Sequence, residues 1–183
     1  MRLNLPVTEH ERTFPNEQRL ISTTDLNSRI TYCNDAFVAI SGFTYDELVG
    51  QTHNLVRHPD MPAPVFALMW DTIKQGKPWM GVVKNRAKNG DFYWVSAYVT
   101  AVYENGRISG YESVRSVPSR EQISRAERLY ARLRSGQFDW SYLQSGPELW
   151  QVRIARSQPA PAGVAPRPEG GCGGGGGGCG CRG

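Results

Sequence analysis

Two Asn-Gly dipeptides, Asn89-Gly90 and Asn105-Gly106, stand between β-prone runs and commit the middle of the chain to an antiparallel meander. Asn-Gly is the strongest short hairpin signal because both residues accept positive φ, which a tight two-residue turn between twisted strands demands. The spacing predicts strands over 79–87, 91–103 and 107–117. Upstream, Arg19 to Thr24 and Arg29 to Cys33 are short β-prone runs flanking Asp25-Leu26-Asn27-Ser28, a turn cluster, and so form another hairpin. Between the two groups of strands lie helical segments. Asn34 caps Asp35 to Ser41, which Gly42 stops, and a second short helix covers Thr44 to Val49 before Gly50. Residues 51–61 read as irregular or broken helix. Pro62 then opens a longer helix to Gln75, with Phe66, Met69, Trp70 and Ile73 at helical spacing, a stripe whose plain meaning is core packing. Two strands, a cluster of helices and three strands make an α+β domain: a five-stranded antiparallel sheet with short helices on one face.

A capping box, Ser119 with Gln122, starts one more helix to about Ser135. Ile123, Ala126, Tyr130 and Leu133 give it an apolar side, and arginines cover the rest. So short a helix is marginal alone in water and should pack on something, such as a partner chain. The chain therefore divides into an N-terminal cap (1–18), a folded domain (19–118), an exit helix (119–136) and a tail (137–183). The tail turns Pro- and Gly-rich, ends CGGGGGGCGCRG, cannot bury a core, and reads as a truncated or frame-shifted end.

Composition excludes several classes. The net charge is +4, but the basic residues are scattered among acids with no aromatic-interleaved stripe, which speaks against nucleic acid. The apolar runs, such as Pro64 to Trp70, fall short of the about 18 residues that a membrane span needs, and the N-terminus lacks a secretory signal. A cytoplasmic protein is expected. Cys33 is the one cysteine before Cys172, so the folded part holds no internal disulfide, and Cys172, Cys179 and Cys181 lack the paired spacing of a zinc site. Residues 1–135 contain no nucleophile–base pair, metal set or phosphate-cradling glycine loop, so an enzyme is not expected.

Strand alternation sorts the meander into two faces. Trp79, Gly81, Val83 and Asn85 share one, with Tyr93, Val95, Ala97, Val99 and Ala101 on the next strand and Tyr111, Ser113 and Arg115 on the third. If this face meets the helices, Gly81, Ala97 and Ser113 leave room, and Asn85 and Arg115 need partners. Either a planar ligand with polar edges fills the space, or the helices pack close against the small residues. A second segment, His53 to Pro62, gathers two of the three histidines with Arg57 and Asp60. Either Asp60 caps the following helix with Arg57 paired to it, or Arg57 and His58 offer cationic donors to an anionic group such as a diphosphate.

At these residues the chain resembles the FAD-binding PAS domains of bacterial aerotaxis receptors. The matching strings are ISTTDLNSRITYCNDAFVAISGFTYDELVGQTHNLVRHPDMP, FALMWDTIKQGKPWMGVVKNRAKNGDFYWV and GRISGYESVRS, within residues 19–135. The frame Asn34-x-x-Phe37 and Gly42-Phe43-Thr44-x-x-Glu47-Leu48-x-Gly50 is shared by PAS domains generally. The resemblance implies a PAS fold with FAD held non-covalently. Carried over by position, Arg57, His58 and Asp60 match residues the family needs for FAD. Asn34, Trp79, Asn85, Tyr93 and Tyr111 match positions lining or bordering the cleft. Asn85 falls where related blue-light LOV domains place a ring-binding asparagine, while Val95 and Arg115 replace their other amides. Residues 51–60 contain no cysteine, so a light-driven thiol adduct is not implied. The family continues into a membrane anchor and a methyl-accepting coiled coil that docks a histidine kinase, and none of these is found here. The implied function is redox or oxygen-related sensing in aerotaxis, reported to a protein partner, as a homodimer or through a chemoreceptor signalling module. Two other readings stay open: a haem-binding PAS gas sensor using His53 or His58 as axial ligand, and a cofactor-free PAS interaction or dimerisation module.

Overall fold

The structure, a computed structural model, describes residues 4–136. The expected tail lies outside these residues. β1 (Leu20–Asp25) and β2 (Ile30–Cys33) form the first hairpin. Its turn is held by the Asp25 carboxylate, which accepts from the amides of Asn27 and Arg29, both at 2.8 Å. Three helices follow: α1 (Asp35–Ser41), α2 (Tyr45–Leu48) and α3 (Ala63–Lys74). Each starts within a residue of expectation. Asn34 caps α1, Thr44 and Glu47 close a capping box on α2, and Pro62 precedes the first turn of α3. The irregular stretch before α3 contains a single 3₁₀ turn, His53–Val56.

β3 (Trp79–Arg86), β4 (Phe92–Glu104) and β5 (Arg107–Ser116) complete a five-stranded antiparallel sheet in the order β2-β1-β5-β4-β3. The two meander turns differ. Asn105 and Gly106 both take positive φ, 50° and 75°, and form a two-residue turn. At the first hairpin the Ala87 amide bonds the Asp91 carbonyl at 2.7 Å, enclosing a three-residue loop in which only Gly90 takes positive φ, at 104°. The loop spans the three residues left between the expected strands, but only Gly90, and not Asn89, takes the positive φ expected of the pair. Asn89 uses its side chain instead, accepting from the Asp91 amide at 3.1 Å and donating to its carboxylate at 2.8 Å.

The pairing aligns side chains in rows across the sheet. Trp79, Val99, Ser113 and Ser22 form one row, and Gly81, Ala97 and Arg115 lie in the next. These residues face α1–α3, over a core containing Phe37, Leu48, Ile73, Trp79, Tyr93 and Val95, all buried. On the opposite face α4 (Arg120–Arg134) packs Ile123, Ala126 and Tyr130 against the β3 side of the sheet. The Tyr130 hydroxyl donates to the Val82 carbonyl. The exit helix thus finds its partner in its own chain. An N-terminal strap crosses the end of the sheet: Thr8 bonds Gly90, Arg12 reaches Asp91 and the Ile40 carbonyl, and Glu11 pairs with Arg120 of α4.

Candidate functional site

Between the inner face of the sheet and α3 lies a cavity of about 260 Å3. Its floor is the face that strand alternation singles out: Trp79, Val83 and Asn85 from β3, Ala97 and Val99 from β4, and Tyr111, Ser113 and Arg115 from β5. β1 adds Ser22 and Thr24. The roof is the α3 stripe, Phe66, Met69, Trp70 and Ile73, so residues whose spacing suggests plain packing line the cavity. Trp70 meets Tyr111 edge to face with ring centroids 5.4 Å apart, an aromatic closure at one end. Gly81 does not contribute empty space. The Trp79 indole lies over it, and a Cβ there would sit 2.3 Å from that ring.

Two guanidinium groups face this space. Arg57 comes from the segment after the 3₁₀ turn, which is pinned to the β3 edge by a bridge to Asn85. It stacks over the Phe66 ring at 4.3 Å and donates to the Met61 carbonyl at 2.9 Å, and burial lowers its pKa. Arg115 is buried on the floor, where burial pushes its pKa down to about 10, so it stays charged at neutral pH. One of its nitrogens, Nη2, is 3.0 Å from Ser22 Oγ and 2.7 Å from His53 Nε2. An arginine can only donate, so His53 accepts at Nε2 and carries its proton on Nδ1. Burial, with Arg115 second, takes His53 down to about 3, and the ring stacks on Phe37.

Among the described residues no ion pair reaches Arg57 or Arg115. Arg57 Nε, Arg115 Nη1 and Ser113 Oγ are buried without a hydrogen-bond partner in the protein. Each such group costs about 1–3 kcal/mol when left unsatisfied. The arrangement is an aromatic and aliphatic slot with a net positive floor and wall. It suits a planar ligand that carries acceptors and negative charge.

The other residues singled out in the sequence are placed differently. Asn34 works in the fold, taking the amides of Ile21 and Phe37 and donating to the Arg19 carbonyl, and it does not line the cavity. Tyr93 is fully buried, in register with Asn85 beyond the cavity lining, and burial raises its pKa well above the ordinary phenol value. His58 is not a cation at the cavity mouth. Its buried ring lies edge-on to Phe92, Nδ1 accepts the Asp60 amide at 3.1 Å, and burial, with Lys84 next, takes it down to about 4. Asp60 neither caps α3 nor pairs with Arg57. It bonds Lys84 Nζ at 2.6 Å on the outer side of β3; burial opposes its ionisation, but Lys84 outweighs this and holds the carboxyl below its usual range. The haem reading needs an imidazole directed at the cavity with a lone pair free. His53 Nε2 is taken by Arg115, and His58 does not line the cavity.

Ser22 is a lining residue that pattern reasoning misses, while the sequence marks His53 only as a possible haem ligand and the α3 stripe only as packing. A serine in a short strand carries no such signal until β1 is known to lie beside β5.

Sheet order, helix placement and cavity together define a PAS domain, and residues 30–115 match the PAS fold family. The chain is similar to the aerotaxis receptor of Escherichia coli strain K12, at 52% identity over 71% of this chain and 26% of that protein. It is also similar to the nitrogen fixation regulatory protein of Klebsiella pneumoniae, at 32% identity over 63% of this chain and 22% of that one. The chain thus spans about a quarter of the length of these relatives. Among solved structures, the dark state of the blue-light photoreceptor Aureochrome1 LOV aligns with a TM-score of 0.53 at 18% identity, over 65% of this chain and 86% of that one. A light-oxygen-voltage domain studied with a flavin analogue aligns with a TM-score of 0.54 at 16% identity, over 66% of this chain and 90% of that one. These likenesses bear on the fold alone.

Proposed function

We propose that this PAS domain binds FAD non-covalently and serves as a redox or oxygen-related sensor in aerotaxis signalling. The observation that carries the reading is the pair of cavity-facing guanidinium groups, Arg57 and Arg115, left without carboxylate partners in an aromatic slot. FAD fits what this slot asks for: a planar ring with carbonyl and nitrogen acceptors, joined to an anionic diphosphate. Trp79, Trp70 and Tyr111 offer flat apolar surface to a ring, and Asn85 offers an amide from the floor. Ser113 Oγ and Arg115 Nη1 supply donors at the floor, and Arg57 supplies a cation at the wall that a diphosphate could use. Similarity to an aerotaxis receptor supports the same reading.

Bound here, FAD would supply a reversible redox centre whose ring charge and protonation change on reduction. The protein's part is to interact unequally with the two states, since a ligand shifts a conformational equilibrium only through such a difference. Arg115 favours the form with more negative charge at its end of the cavity. Its loss of contact with Ser22 or His53 would be felt directly in β1 and in the 3₁₀ turn. No substrate turnover belongs to this reading, and the signal passes to a protein partner, a second copy or a chemoreceptor module, in the cytoplasm.

Absorbance of the purified protein, loaded with FAD and read in air and after dithionite, tests the reading. A protein-retained flavin spectrum that bleaches on reduction and returns in air is expected. A protein that stays colourless after reconstitution ends it.

A further inference from the structure

Asp60 lies in the segment that walls the cavity, yet its carboxylate and carbonyl point away from the cavity. Arg57, three residues earlier, faces the ligand space, and its carbonyl is held by Asn4 Nδ2 at 2.9 Å. The intervening turn is tied to itself: His58 Nδ1 takes the Asp60 amide at 3.1 Å, the His58 carbonyl takes the Met61 amide at 3.1 Å, and the Arg57 guanidinium bonds the Met61 carbonyl at 2.9 Å. A displacement of Arg57 therefore carries Asp60 with it. Asp60 in turn holds the outside of the sheet, its carboxylate on Lys84 Nζ at 2.6 Å and its carbonyl accepting from Arg134 in the last turn of α4.

We propose that residues 57–61 are a clasp through which filling the cavity and docking α4 stabilise each other, with Asp60 as a positioning residue and not a ligand contact. This rests on reading the cavity as a ligand site. The route differs from one through the sheet, because it runs around the β3 edge, where the segment's backbone bridge is to Asn85 and Asp60 reaches Lys84. α4 has two further anchors, Tyr130 on the Val82 carbonyl and Arg120 on Glu11, so releasing the clasp loosens its C-terminal end and leaves the helix on the sheet. Coupling between two sites is reciprocal: what tightens Arg57 tightens Arg134, and the reverse.

Amide exchange on the full chain tests the clasp without any ligand. Arg134→Gln should speed exchange at residues 57–61 by about fivefold or more, at the lower end of typical couplings. Arg128→Gln, which loses a contact to Ser124 within α4, should leave those amides unchanged. Unchanged exchange at 57–61 in Arg134→Gln, or equal acceleration in both variants, overturns the clasp. The second arm uses FAD. In the wild type it should slow exchange in the last turn of α4, and Arg134→Gln should bind it several-fold more weakly. Binding with no change in α4 overturns the coupling. Failure of the wild type to bind FAD defeats the ligand reading instead, and the first arm still decides the clasp.

Discussion

The two faces of the β3–β4–β5 meander treat their cations in opposite ways. On the outer face Arg86 is buried, but Nε donates to the Pro6 carbonyl at 2.7 Å and Nη2 to the Lys88 carbonyl at 3.3 Å, while Lys84 is paired with Asp60. On the inner face Arg115 is equally buried, and one of its nitrogens meets no protein group. A protein that satisfies a buried guanidinium on one face of its sheet and leaves another short on the other face is not constrained by a lack of acceptors. The outer arginine holds the fold together; on the proposed reading, the inner one has the donor that a bound ligand would satisfy.

Substitutions can break this contrast. The largest effect is expected from Trp79→Ala, because the indole both fills the space above Gly81 and builds the cavity floor. Loss of a buried aromatic ring should cost about 3–5 kcal/mol, read from denaturant midpoints, and FAD uptake should fall with it. The contrast itself is tested by a pair. Arg86→Met should destabilise by about 1.5–3 kcal/mol, the worth of hydrogen bonds to a charged group, and leave flavin affinity near that of the wild type. Arg115→Met should do the reverse: stability without ligand within about 1 kcal/mol of wild type, and FAD bound some tenfold to a hundredfold more weakly. If both variants lose stability alike and bind alike, the distinction between the faces is void.

The histidines sharpen the picture through pH. His53 and His58 are held neutral, at about 3 and about 4, against an ordinary value of 6.5. The unfolded chain binds protons first as the pH falls, so this contribution is full above about 6.5 and is lost on going down toward 4. Urea melts across that window should show a loss on the order of a few kcal/mol, reduced in His58→Asn. A melt that is flat from pH 7 to 4.5 would contradict the neutral, acceptor role of His58. The smallest effect belongs to Lys88→Ala, which removes an exposed pair with Glu47 and should change stability by less than about 1 kcal/mol and binding not at all.

Local chemistry was largely legible in the chain. The capping signals at Asn34 and Ser119, the Pro62 start and the Asn105-Gly106 turn each work through residues a few positions apart, and the structure places them within a residue or so of expectation. The inner face of the meander was legible for the same reason, since alternation is a local property. The Asn89-Gly90 turn misled because the dipeptide does not record that Asn89 engages Asp91. The segment 53–62 misled more. Its side chains are sorted by a bridge to Asn85, a contact to Asn4 and another to Arg134, all between residues far apart in sequence. Likewise Ser22, His53 and Arg115 meet only because β1 lies between β2 and β5. Pattern within a window cannot report such meetings.

Titration of the ligand-free full chain with FAD, followed by quenching of the flavin fluorescence against the cavity aromatics, tests the central claim most directly. Saturable quenching at one FAD per chain is predicted, retained in Arg86→Met and shifted to much higher FAD in Arg115→Met. Quenching that never saturates, or that is indifferent to Arg115, would contradict it.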